Sequence, residues 1–242
     1  MKVLVTGAAG FLGRAIVERL GRDHDLTLVD LRASGGPDDG WAAVDVTDLA
    51  AMRELARGQA AVVHAAALVR ERDDAPIEAF ARTTVLGTWT VSEACALEGV
   101  PVLVNVSSIA ADGMPHPAGR PRRVGDRPCF GPEDRHYAIS KHLGEAIVDA
   151  YGVAFGLRVL NLRPGVLAGD PANPPPRRPP GREPCWFSHV DPRDVADGVA
   201  RALASNASGT YHLVAARPDA LCDWVPAARD FGYRPIRRWD AA

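Results

Sequence analysis

Apolar positions along the chain fall into short runs that alternate between strand and helix spacing. The first run, residues 2–6, is apolar and β-branched, and apolar residues then recur with helical periodicity up to Leu20. Further apolar runs of strand length lie at residues 25–30, 41–46, 60–64, 101–106 and 156–162. Helical patterns lie at residues 49–57, 76–98 and 136–154. This alternation predicts an α/β fold with a doubly wound parallel sheet and helices on both of its faces.

The pattern changes after residue 165. Residues 173–184 are rich in proline and cannot form a regular element, and residues 109–135, rich in Pro, Gly and Arg, predict a surface loop. The proline-rich run fits a loop that covers a ligand, and it also fits a polyproline ligand for a partner domain. The remaining pattern predicts a short strand, a helix, a strand and a final helical piece, at residues 186–190, 193–204, 210–214 and 223–229.

Composition narrows the class of protein. With 242 residues, of which 47% are hydrophobic and 24% charged, the chain can bury an ordinary globular core. Its net charge of −2 gives no electrostatic reason to bind nucleic acid or a membrane, and no apolar run approaches the roughly 18–20 residues of a membrane span. The cysteines and histidines are dispersed without metal-ligand spacing. We therefore expect a cytoplasmic protein with free thiols, no secretion signal and no metal.

Three glycines follow the first strand at a spacing of three residues. Gly7 would permit a tight turn, Gly10 would let a diphosphate approach the backbone, and Gly13 would let the following helix pack on the sheet. The order strand, glycine turn, helix presents a helix N-terminus to a phosphate, as in dinucleotide-binding folds of the Rossmann type. Taken alone, the turn also fits an ordinary connection between a strand and a helix.

An acidic residue ends the second predicted strand. Asp30 lies 17 positions after Gly13, where a dinucleotide-binding fold places an acid for the adenosine ribose hydroxyls. An acid at this position favours NAD, because it would repel the 2′-phosphate of NADP. Arg32, two residues further on, could pair with that phosphate. The sequence therefore predicts NAD as the cofactor without excluding NADP.

A second group of residues has the composition of a proton-transfer site. Tyr137 and Lys141 are four residues apart in a predicted helix, which places both on one face. A lone tyrosine has a pKa near 10, and a neighbouring ammonium lowers it by favouring the phenolate. Ser108 ends the fifth predicted strand, at the carboxyl edge where parallel sheets bind ligands. These three residues together predict a catalytic set that interconverts an alcohol and a carbonyl.

Short motifs run along the chain in a fixed order. They are T-G-A-A-G-F-L-G at 6–13, V-D at 29–30, D-V-T-D at 45–48, H-A-A-A at 64–67, V-L-G-T-W-T-V-S-E-A-C at 85–95, V-S-S at 106–108, Y-A-I-S-K at 137–141, L-R-P-G at 162–165 and H-V-D-P-R-D-V-A at 189–196. Together they resemble the extended short-chain dehydrogenase/reductase family, the NAD-dependent epimerase/dehydratase group. The resemblance covers residue 3 to about residue 204. It implies an NAD-binding Rossmann domain at residues 1–165 and a short substrate-binding region at residues 166–242 that also completes the sheet.

The resemblance also implies roles for individual residues. Tyr137 would be the acid/base, Lys141 would also hold the nicotinamide ribose, and Ser108 would orient the substrate. The further cofactor contacts would be Phe11 and Leu12 at the diphosphate, Leu31 next to Asp30, Asp45 and Val46 at the adenine, Ala65, Ala66 and Ala67 along the cofactor, and Pro164 and Val166 at the nicotinamide. Thr84 departs from the family pattern, which usually has Asn there. This puts in question either the usual hydrogen bond between helix and strand or a proton-relay role of that Asn.

The resemblance extends to assembly and, in part, to a subgroup. Family members often dimerise through the helices predicted at residues 76–98 and 136–154, which implies a homodimer. The segments at residues 186–189 and 231–235 resemble the short uronate dehydrogenases of the family. In such an enzyme Arg182 would be a carboxylate clamp, although it equally fits a solvated loop position.

The predicted substrate region is short and rather apolar. Only about 77 residues follow Gly165, which favours a small molecule over a nucleotide sugar. Besides Ser108, the implied substrate contacts are Val69, Ile109 and Ala110, where the uronate dehydrogenases have more polar residues. This makes a uronic acid a doubtful substrate.

Three functions remain open at this point. The first is an NAD(P)-dependent oxidoreductase that moves a hydride between the nicotinamide and a secondary alcohol or ketone of a small, sugar-derived or carboxylated substrate. The second is an epimerase or dehydratase of a nucleotide sugar, which would retain its NAD. The third is a non-catalytic NAD-binding regulator or interaction module, against which the presence of both Tyr137 and Lys141 argues.

Overall fold

The structure of the protein is a computed structural model that describes residues 1–32, 40–69, 75–113, 120–131, 135–168, 189–216 and 220–237. Its strands are β1 (Lys2–Thr6), β2 (Asp25–Asp30), β3 (Trp41–Ala43), β4 (Ala61–His64), β5 (Val102–Val106), β6 (Arg158–Pro164), β7 (Val166–Leu167), β8 (His189–Val190) and β9 (Gly209–Leu213). Its helices are α1 (Phe11–Leu20), α2 (Leu49–Ala56), α3 (Ile77–Phe80), α4 (Gly87–Leu97), α5 (Arg135–Phe155), α6 (Pro192–Ala204) and α7 (Val225–Phe231). A π-helical segment, Ala81–Leu86, joins α3 to α4, and a 3-10 turn, Ile109–Asp112, follows β5.

Seven of the strands form one parallel sheet in the order β3-β2-β1-β4-β5-β6-β9. The chain passes outward from β1 through β2 to β3, and then returns to β4 on the other side of β1. The strand order therefore reverses beside β1, and the carboxyl ends of β1 and β4 open a crevice where such sheets bind ligands. The predicted doubly wound parallel sheet of the Rossmann type is confirmed.

Helices cover both faces of this sheet, because side chains of each strand alternate between two hydrophobic layers. On one face, Val3 and Val5 of β1 pack with Ile16 of α1 and Val199 of α6, all of them fully buried. On the other face, Leu4 belongs to a second cluster with residues of α2, α4 and α5. Since both faces are covered, a ligand reaches the sheet at the edge formed by the strand ends.

The C-terminal part of the chain completes the sheet and adds a second, smaller one. β9 pairs in parallel with β6, and α6 packs against α1. α6 has a proline in its first turn and begins after Asp191, whose side chain accepts a hydrogen bond from the N–H of Arg193. Among the described residues, β7 and β8 form a separate two-stranded sheet with each other. They place residues of the C-terminal part just beyond the carboxyl end of β6.

Several predicted elements have different ends in the structure. The third strand ends at Ala43 and not at residue 46, because only Trp41–Ala43 pairs with β2. The sixth strand runs from Arg158 to Pro164, later than the predicted residues 156–162. The reason is Gly156, whose φ of 69° is left-handed and follows the end of α5.

Other differences concern the interior of predicted elements. The single helix predicted over residues 76–98 contains the π-helical segment Ala81–Leu86, which a search for 3.6-residue periodicity does not register. β7 is too short to produce any periodic pattern. The surface loop predicted over residues 109–135 begins with the 3-10 turn and includes the buried Arg122. The proline-rich residues 173–184 and the start of the strand predicted at 186–190 lie outside the described residues.

We expect Gly13→Ala to destabilise the fold, because a Cβ on Gly13 would overlap the backbone carbonyl oxygen of Gly7. The expected loss in the free energy of unfolding is about 1–3 kcal/mol, measured by urea denaturation. Gly144→Ala is the matched control, since the nearest atom to its Cβ would be the Thr88 hydroxyl at 3.4 Å, an ordinary contact. Equal losses for the two variants would contradict this account of the turn.

Candidate active site

The glycine turn lies at the carboxyl end of β1, where the strand order reverses. Gly7 has a φ of 68°, a left-handed conformation that favours glycine. Its carbonyl accepts a hydrogen bond from the N–H of Gly10 at 3.0 Å, and a side chain on Gly7 would collide with the backbone of Ala65 and Ala66 after β4. Gly10 is the N-cap of α1 and brings no side chain to the helix N-terminus, so an anion can approach the first turn, which begins with Phe11.

A cavity of about 500 Å³ opens beside this turn. Its wall includes Ala9, Phe11 and Arg14 on one side, and Pro192 and Arg193 at the start of α6 on the other. Arg14 donates a hydrogen bond from Nε to the carbonyl of Ala9 at 3.0 Å, which holds its guanidinium group against the turn. The N-terminus of α1 and the Arg14 guanidinium favour an anion beside the turn, whereas Arg193 is paired with Asp191 at 2.6 Å and the acidic Glu18 also lines the cavity.

Asp30 is brought to the glycine turn by the pairing of β1 with β2. One carboxylate oxygen of Asp30 accepts a hydrogen bond from the N–H of Ala9 at 3.1 Å, and the other accepts from the N–H of Arg32 at 3.4 Å. Asp30 is half-buried, whereas Leu31 and Arg32 are exposed. The carboxylate therefore has a fixed orientation next to the predicted diphosphate site, and the Arg32 side chain is accessible beside it.

Asp45 and Val46 lie after β3, on the β2 side of the point where the strand order reverses. The Asp45 carboxylate accepts hydrogen bonds from Thr47, through N–H at 2.9 Å and Oγ1 at 2.8 Å, and from Arg82 at 3.0 Å. Burial acts to raise the pKa of Asp45, but these hydrogen bonds and the Arg82 charge hold it below its usual range. Val46 is buried against Gly87, where an added Cβ would come within 2.7 Å of its side chain.

The segment after β4 is tied back to β1. The N–H groups of Ala65 and Ala66 donate to the carbonyl and the hydroxyl of Thr6, at 3.1 and 3.4 Å, and Ala65, Ala66 and Ala67 are half-buried. His64 joins three elements, because its ring nitrogens contact Thr6 Oγ1 at 2.7 Å and Thr88 Oγ1 at 3.1 Å. Burial, with a contribution from the Lys141 charge, lowers the pKa of His64 to about 3. The imidazole is therefore neutral at physiological pH.

Thr84 keeps a hydrogen bond between the helical segment and the chain after β4. Its hydroxyl accepts from the N–H of Leu68 at 3.4 Å, and its carbonyl accepts from Thr88 Oγ1 at 2.6 Å. Thr84 is buried within the π-helical segment. Thr84 therefore makes a hydrogen bond of its own to the chain after β4.

The structure brings the strand end that carries Ser108 to the helix that carries Tyr137 and Lys141. Lys141 is 7% exposed, and its Nζ donates a hydrogen bond at 2.8 Å to the carbonyl of Val106, two residues before Ser108. Tyr137 is half-buried one helical turn before Lys141. Ser108 is the N-cap of the 3-10 turn, and its Oγ accepts from the N–H of Ala110 at 3.2 Å.

Burial dominates the electrostatics of Lys141. Removal from water lowers the pKa of Lys141 to about 8, although the negative charge of Glu145 acts in the opposite direction. At pH 7 the side chain is therefore still an ammonium, but one held with little solvent around it. A charge in such surroundings acts on a neighbouring phenol more strongly than a charge in water does.

The remaining predicted residues line the carboxyl edge to different degrees. Pro164 is buried at the end of β6, whereas Val166 is half exposed in β7. Ile109 and Ala110 are half-buried in the turn after Ser108. Val69, after β4, is 51% exposed. Arg182 lies outside the described residues.

Four buried ionisable residues close to this edge were not predicted: Asp112, Glu145, Arg163 and His212. Arg163 of β6 binds Asp112 at 2.6 Å and Glu145 of α5 at 2.6 and 2.8 Å, and His212 of β9 contacts Asp112 at 2.7 Å. Two of them had a sequence signal, since Glu145 follows Lys141 by one helical turn and Arg163 lies in the L-R-P-G motif. Asp112 and His212 had none.

Comparisons with known proteins agree with this geometry. The family model for the NAD-dependent epimerase/dehydratase family matches residues 3–187. An L-arabinose 1-dehydrogenase (NAD(P)(+)) from Haloferax volcanii is 32% identical, over 97% of this chain and 96% of that protein. A 3-diazoavenalumate denitrifying reductase from a Streptomyces species is 31% identical, over 100% of this chain and 85% of that protein. The chain belongs to the NAD-dependent epimerase/dehydratase family.

A solved structure shows the same fold. Uronate dehydrogenase from Agrobacterium tumefaciens superposes with a TM-score of 0.80 at 23% identity, over 98% of this chain and 84% of that one. The predicted resemblance to the short uronate dehydrogenases is thus confirmed for the fold. The family, together with its NAD(P)-dependent dehydrogenase relatives, confirms the prediction of an NAD(P)-dependent oxidoreductase.

Two features are absent from the part of the chain that the structure describes. No helix there has both the length and the apolar character that crossing a membrane requires. The same residues contain no group of three or more His, Cys, Asp or Glu side chains placed to hold a metal ion.

We expect the stability difference between wild type and Lys141→Met to depend on pH. Because the pKa of Lys141 falls from 10.5 to about 8 on folding, the buried ammonium destabilises wild type fully below pH 8, and this cost disappears as pH rises to 10.5. This fall in the pKa of Lys141 corresponds to roughly 3 kcal/mol. Urea denaturation of both proteins at pH 7 and 9.5 should show that the free energy of unfolding of wild type, relative to that of the variant, is larger at the higher pH. A difference independent of pH would contradict the buried ammonium.

Proposed function

We propose that this chain is a dehydrogenase of a small sugar, which removes a hydride from the carbon of a CH–OH group and passes it to NAD or NADP. The observation that carries the proposal is the hydrogen bond from Lys141 Nζ to the Val106 carbonyl. It joins the helix of Tyr137 to the strand end of Ser108, and these residue types are the ones that proton transfer to and from an alcohol requires.

The residues around the point where the strand order reverses fit a dinucleotide. The glycine N-cap of α1 leaves space for a diphosphate, and Asp30 is oriented beside it to accept hydrogen bonds from ribose hydroxyls. Leu31 and Arg32 flank that ribose, Asp45 and Val46 border the adenine, and Ala65, Ala66, Ala67, Pro164 and Val166 line the path to the nicotinamide. When bound, the nicotinamide supplies the hydride acceptor.

Each of the three proposed catalytic residues has a different role in proton transfer. Tyr137, as the phenolate, takes the hydroxyl proton while the C–H bond breaks, and it returns that proton in the reverse direction. Lys141 is an ammonium at pH 7 and favours the phenolate. Ser108 Oγ already accepts from the N–H of Ala110, so its own hydrogen is available to donate to the substrate oxygen.

A neutral monosaccharide is the substrate class that the described residues favour. The side chains proposed to face it next to Ser108 are those of Val69, Ile109 and Ala110, and none of them carries a charge. Residues 166–242 would form the rest of the substrate region, with residues 1–165 as the cofactor domain. The relative from Haloferax volcanii is named for arabinose and for carbon 1, which supports a pentose oxidised at its anomeric carbon. A uronate would need a cationic partner such as Arg182.

We expect purified protein to reduce NAD or NADP with L-arabinose or another neutral aldose, followed at the nicotinamide absorbance, and to prefer it to galacturonate. Tyr137→Phe should lower kcat by at least about 100-fold, because the phenyl ring cannot take the proton. Tyr211→Phe is the matched control, since it removes a hydroxyl that binds Asp230 and the Ser208 carbonyl, away from the site.

Three results would redirect the proposal. Turnover that survives Tyr137→Phe would contradict the proton-transfer role. Preference for a uronate would contradict a neutral monosaccharide as the substrate class and favour a sugar acid. Protein that carries tightly bound NAD and converts a nucleotide sugar without net reduction of the cofactor would be an epimerase or dehydratase.

We also propose a homodimer in the cytoplasm. α4 and α5 pack against each other, and Trp89 Nε1 donates to the Tyr151 hydroxyl at 2.9 Å. The outer surface of these helices and of the π-helical segment before α4 carries apolar side chains, since Trp89, Leu143 and Leu86 are 54, 45 and 44% exposed. An exposed apolar surface of this kind favours burial against a second copy.

The proposed cytoplasmic location rests on the free cysteines among the described residues.

Leu143→Asp should convert the dimer to a monomer, because it places a charge in the proposed interface. Light scattering after size-exclusion chromatography measures the mass. Val225→Asp is the matched control, as Val225 is 59% exposed on α7, outside that surface. A wild-type mass of one chain at micromolar concentration would contradict the dimer.

A further inference from the structure

Asp112 closes the turn that begins at the proposed catalytic serine. Ser108 is the N-cap of the 3-10 turn Ile109–Asp112, and its carbonyl accepts from the N–H of Ala111 at 3.0 Å. The turn ends at Gly113, whose φ of 70° is left-handed. This turn also carries Ile109 and Ala110, the proposed substrate contacts. Whatever holds Asp112 therefore holds the wall of the site next to Ser108.

Asp112 is held by contacts from distant parts of the chain. Its two carboxylate oxygens bind Arg163 Nη1 at 2.6 Å and His212 Nε2 at 2.7 Å. Its backbone carbonyl accepts from Arg122 Nη1 at 3.1 Å and from the N–H of Cys129 at 3.0 Å. Asp112 is 1% exposed, so these contacts are shielded from water.

Arg163 extends this contact to the helix of the catalytic set. Its Nε and Nη2 donate to both carboxylate oxygens of Glu145, at 2.8 and 2.6 Å. Glu145 follows Lys141 by four residues in α5, on the same helix face. Burial alone would lower the pKa of Arg163, but the hydrogen bonds and charges of Glu145 and Asp112 raise it, so the guanidinium stays charged between two carboxylates.

The chain segment around Ser108 is thus connected to α5 at two points. Before Ser108, the carbonyl of Val106 accepts from Lys141 Nζ. After Ser108, Asp112 reaches Glu145 through Arg163. Lys141 and Glu145 are one helical turn apart, so the two connections lie on either side of the serine and end on neighbouring turns of one helix.

Buried charges of this kind are costly unless every partner is in place. Removing one member of a buried ion pair leaves an uncompensated charge, and the remaining groups then shift to find water or new partners. Bidentate guanidinium–carboxylate contacts also fix orientation as well as distance. The cluster therefore restricts the turn to one position relative to α5 more tightly than apolar packing alone would.

We propose that Asp112 is a positioning residue, which through Arg163 and Glu145 sets the distance of Ser108 and of the substrate wall from Tyr137 and Lys141. The proposal rests on the proposed function, since it assigns Asp112 to the geometry of that same site. Asp112 touches neither cofactor nor substrate in this account. It acts by holding the turn between Ser108 and Gly113 in place.

Two substitutions separate the charge of Asp112 from its hydrogen bonds. Asp112→Asn keeps the shape, since the amide can still accept from Arg163 and donate to His212 Nε2. Asp112→Ala removes both contacts. We expect kcat with the aldose to fall about 10- to 100-fold in Asp112→Ala and less in Asp112→Asn, because small displacements of a catalytic group cost this much. The dissociation constant for NADH, measured by fluorescence, should stay within about twofold of wild type in both.

The coupling to Glu145 gives a second kinetic test. If Asp112 and Glu145 act through Arg163 on one geometry, the loss in kcat for Asp112→Asn with Glu145→Gln together should be smaller than the product of the two single losses. If the two fold losses in kcat multiply, Asp112 and Glu145 act independently, and this would contradict the proposal. Asp126→Asn is the matched control, as Asp126 pairs with Arg120 at 2.8 Å, outside the buried cluster, and it should leave kcat unchanged.

Hydrogen exchange tests the positioning role without any substrate. The N–H groups of Ala110, Ala111 and Gly113 are hydrogen-bonded within the turn, so in wild type they should exchange slowly. In Asp112→Ala, mass spectrometry should show at least tenfold faster exchange for residues 109–113, with α1 unchanged, and in Asp112→Asn a smaller increase.

The two sets of measurements distinguish failure of this proposal from failure of the proposed function. If wild type oxidises no sugar but the turn loosens as described, the function is wrong and the role of Asp112 in holding the turn stands. If wild type is active and Asp112→Ala keeps both its kcat and its slow exchange at residues 109–113, the positioning role is overturned. It is also overturned if only the melting temperature falls.

Discussion

The hydrogen bond from Lys141 Nζ to the carbonyl of Val106 is the contact on which the site depends. It places an ammonium, almost fully buried, at the end of a central strand, two residues before Ser108. The ammonium has little solvent around it, so the carbonyl provides a hydrogen-bond acceptor that partly replaces water. The same contact brings Tyr137 to the carboxyl edge of the sheet, because Tyr137 lies one turn earlier on the same helix.

The fold explains why a costly buried charge is found at this place. The parallel sheet is covered on both faces, so polar chemistry is confined to the edge where its strands end. At that edge His64 is neutral and links β1, β4 and α4 by hydrogen bonds to two threonines. Arg163 is charged but paired with two carboxylates. His64, Lys141 and Arg163 at this edge thus each have partners that fix their position.

Features that depend on local spacing could be predicted from the sequence. The order of strands and helices, the glycine turn, the acid at Asp30 and the pair Tyr137 and Lys141 all follow from spacings within one element or between neighbouring elements. The pairing of Asp112 with His212 joins residues 100 positions apart, and neither belongs to a periodic pattern. The π-helical segment with Thr84 was missed because its period differs from 3.6 residues. The roles assigned to the site residues remain predictions, because they concern contacts with a cofactor and a substrate.

Transfer of deuterium from substrate to cofactor tests the central claim most directly. L-Arabinose labelled with deuterium at carbon 1 is incubated with the protein and NAD or NADP, and the mass of the reduced cofactor is measured. The account predicts one deuterium in each reduced cofactor molecule, because the hydride comes from the carbon that bears the reacting hydroxyl. Reduced cofactor without deuterium, or sugar converted while the label stays in the product, would contradict it.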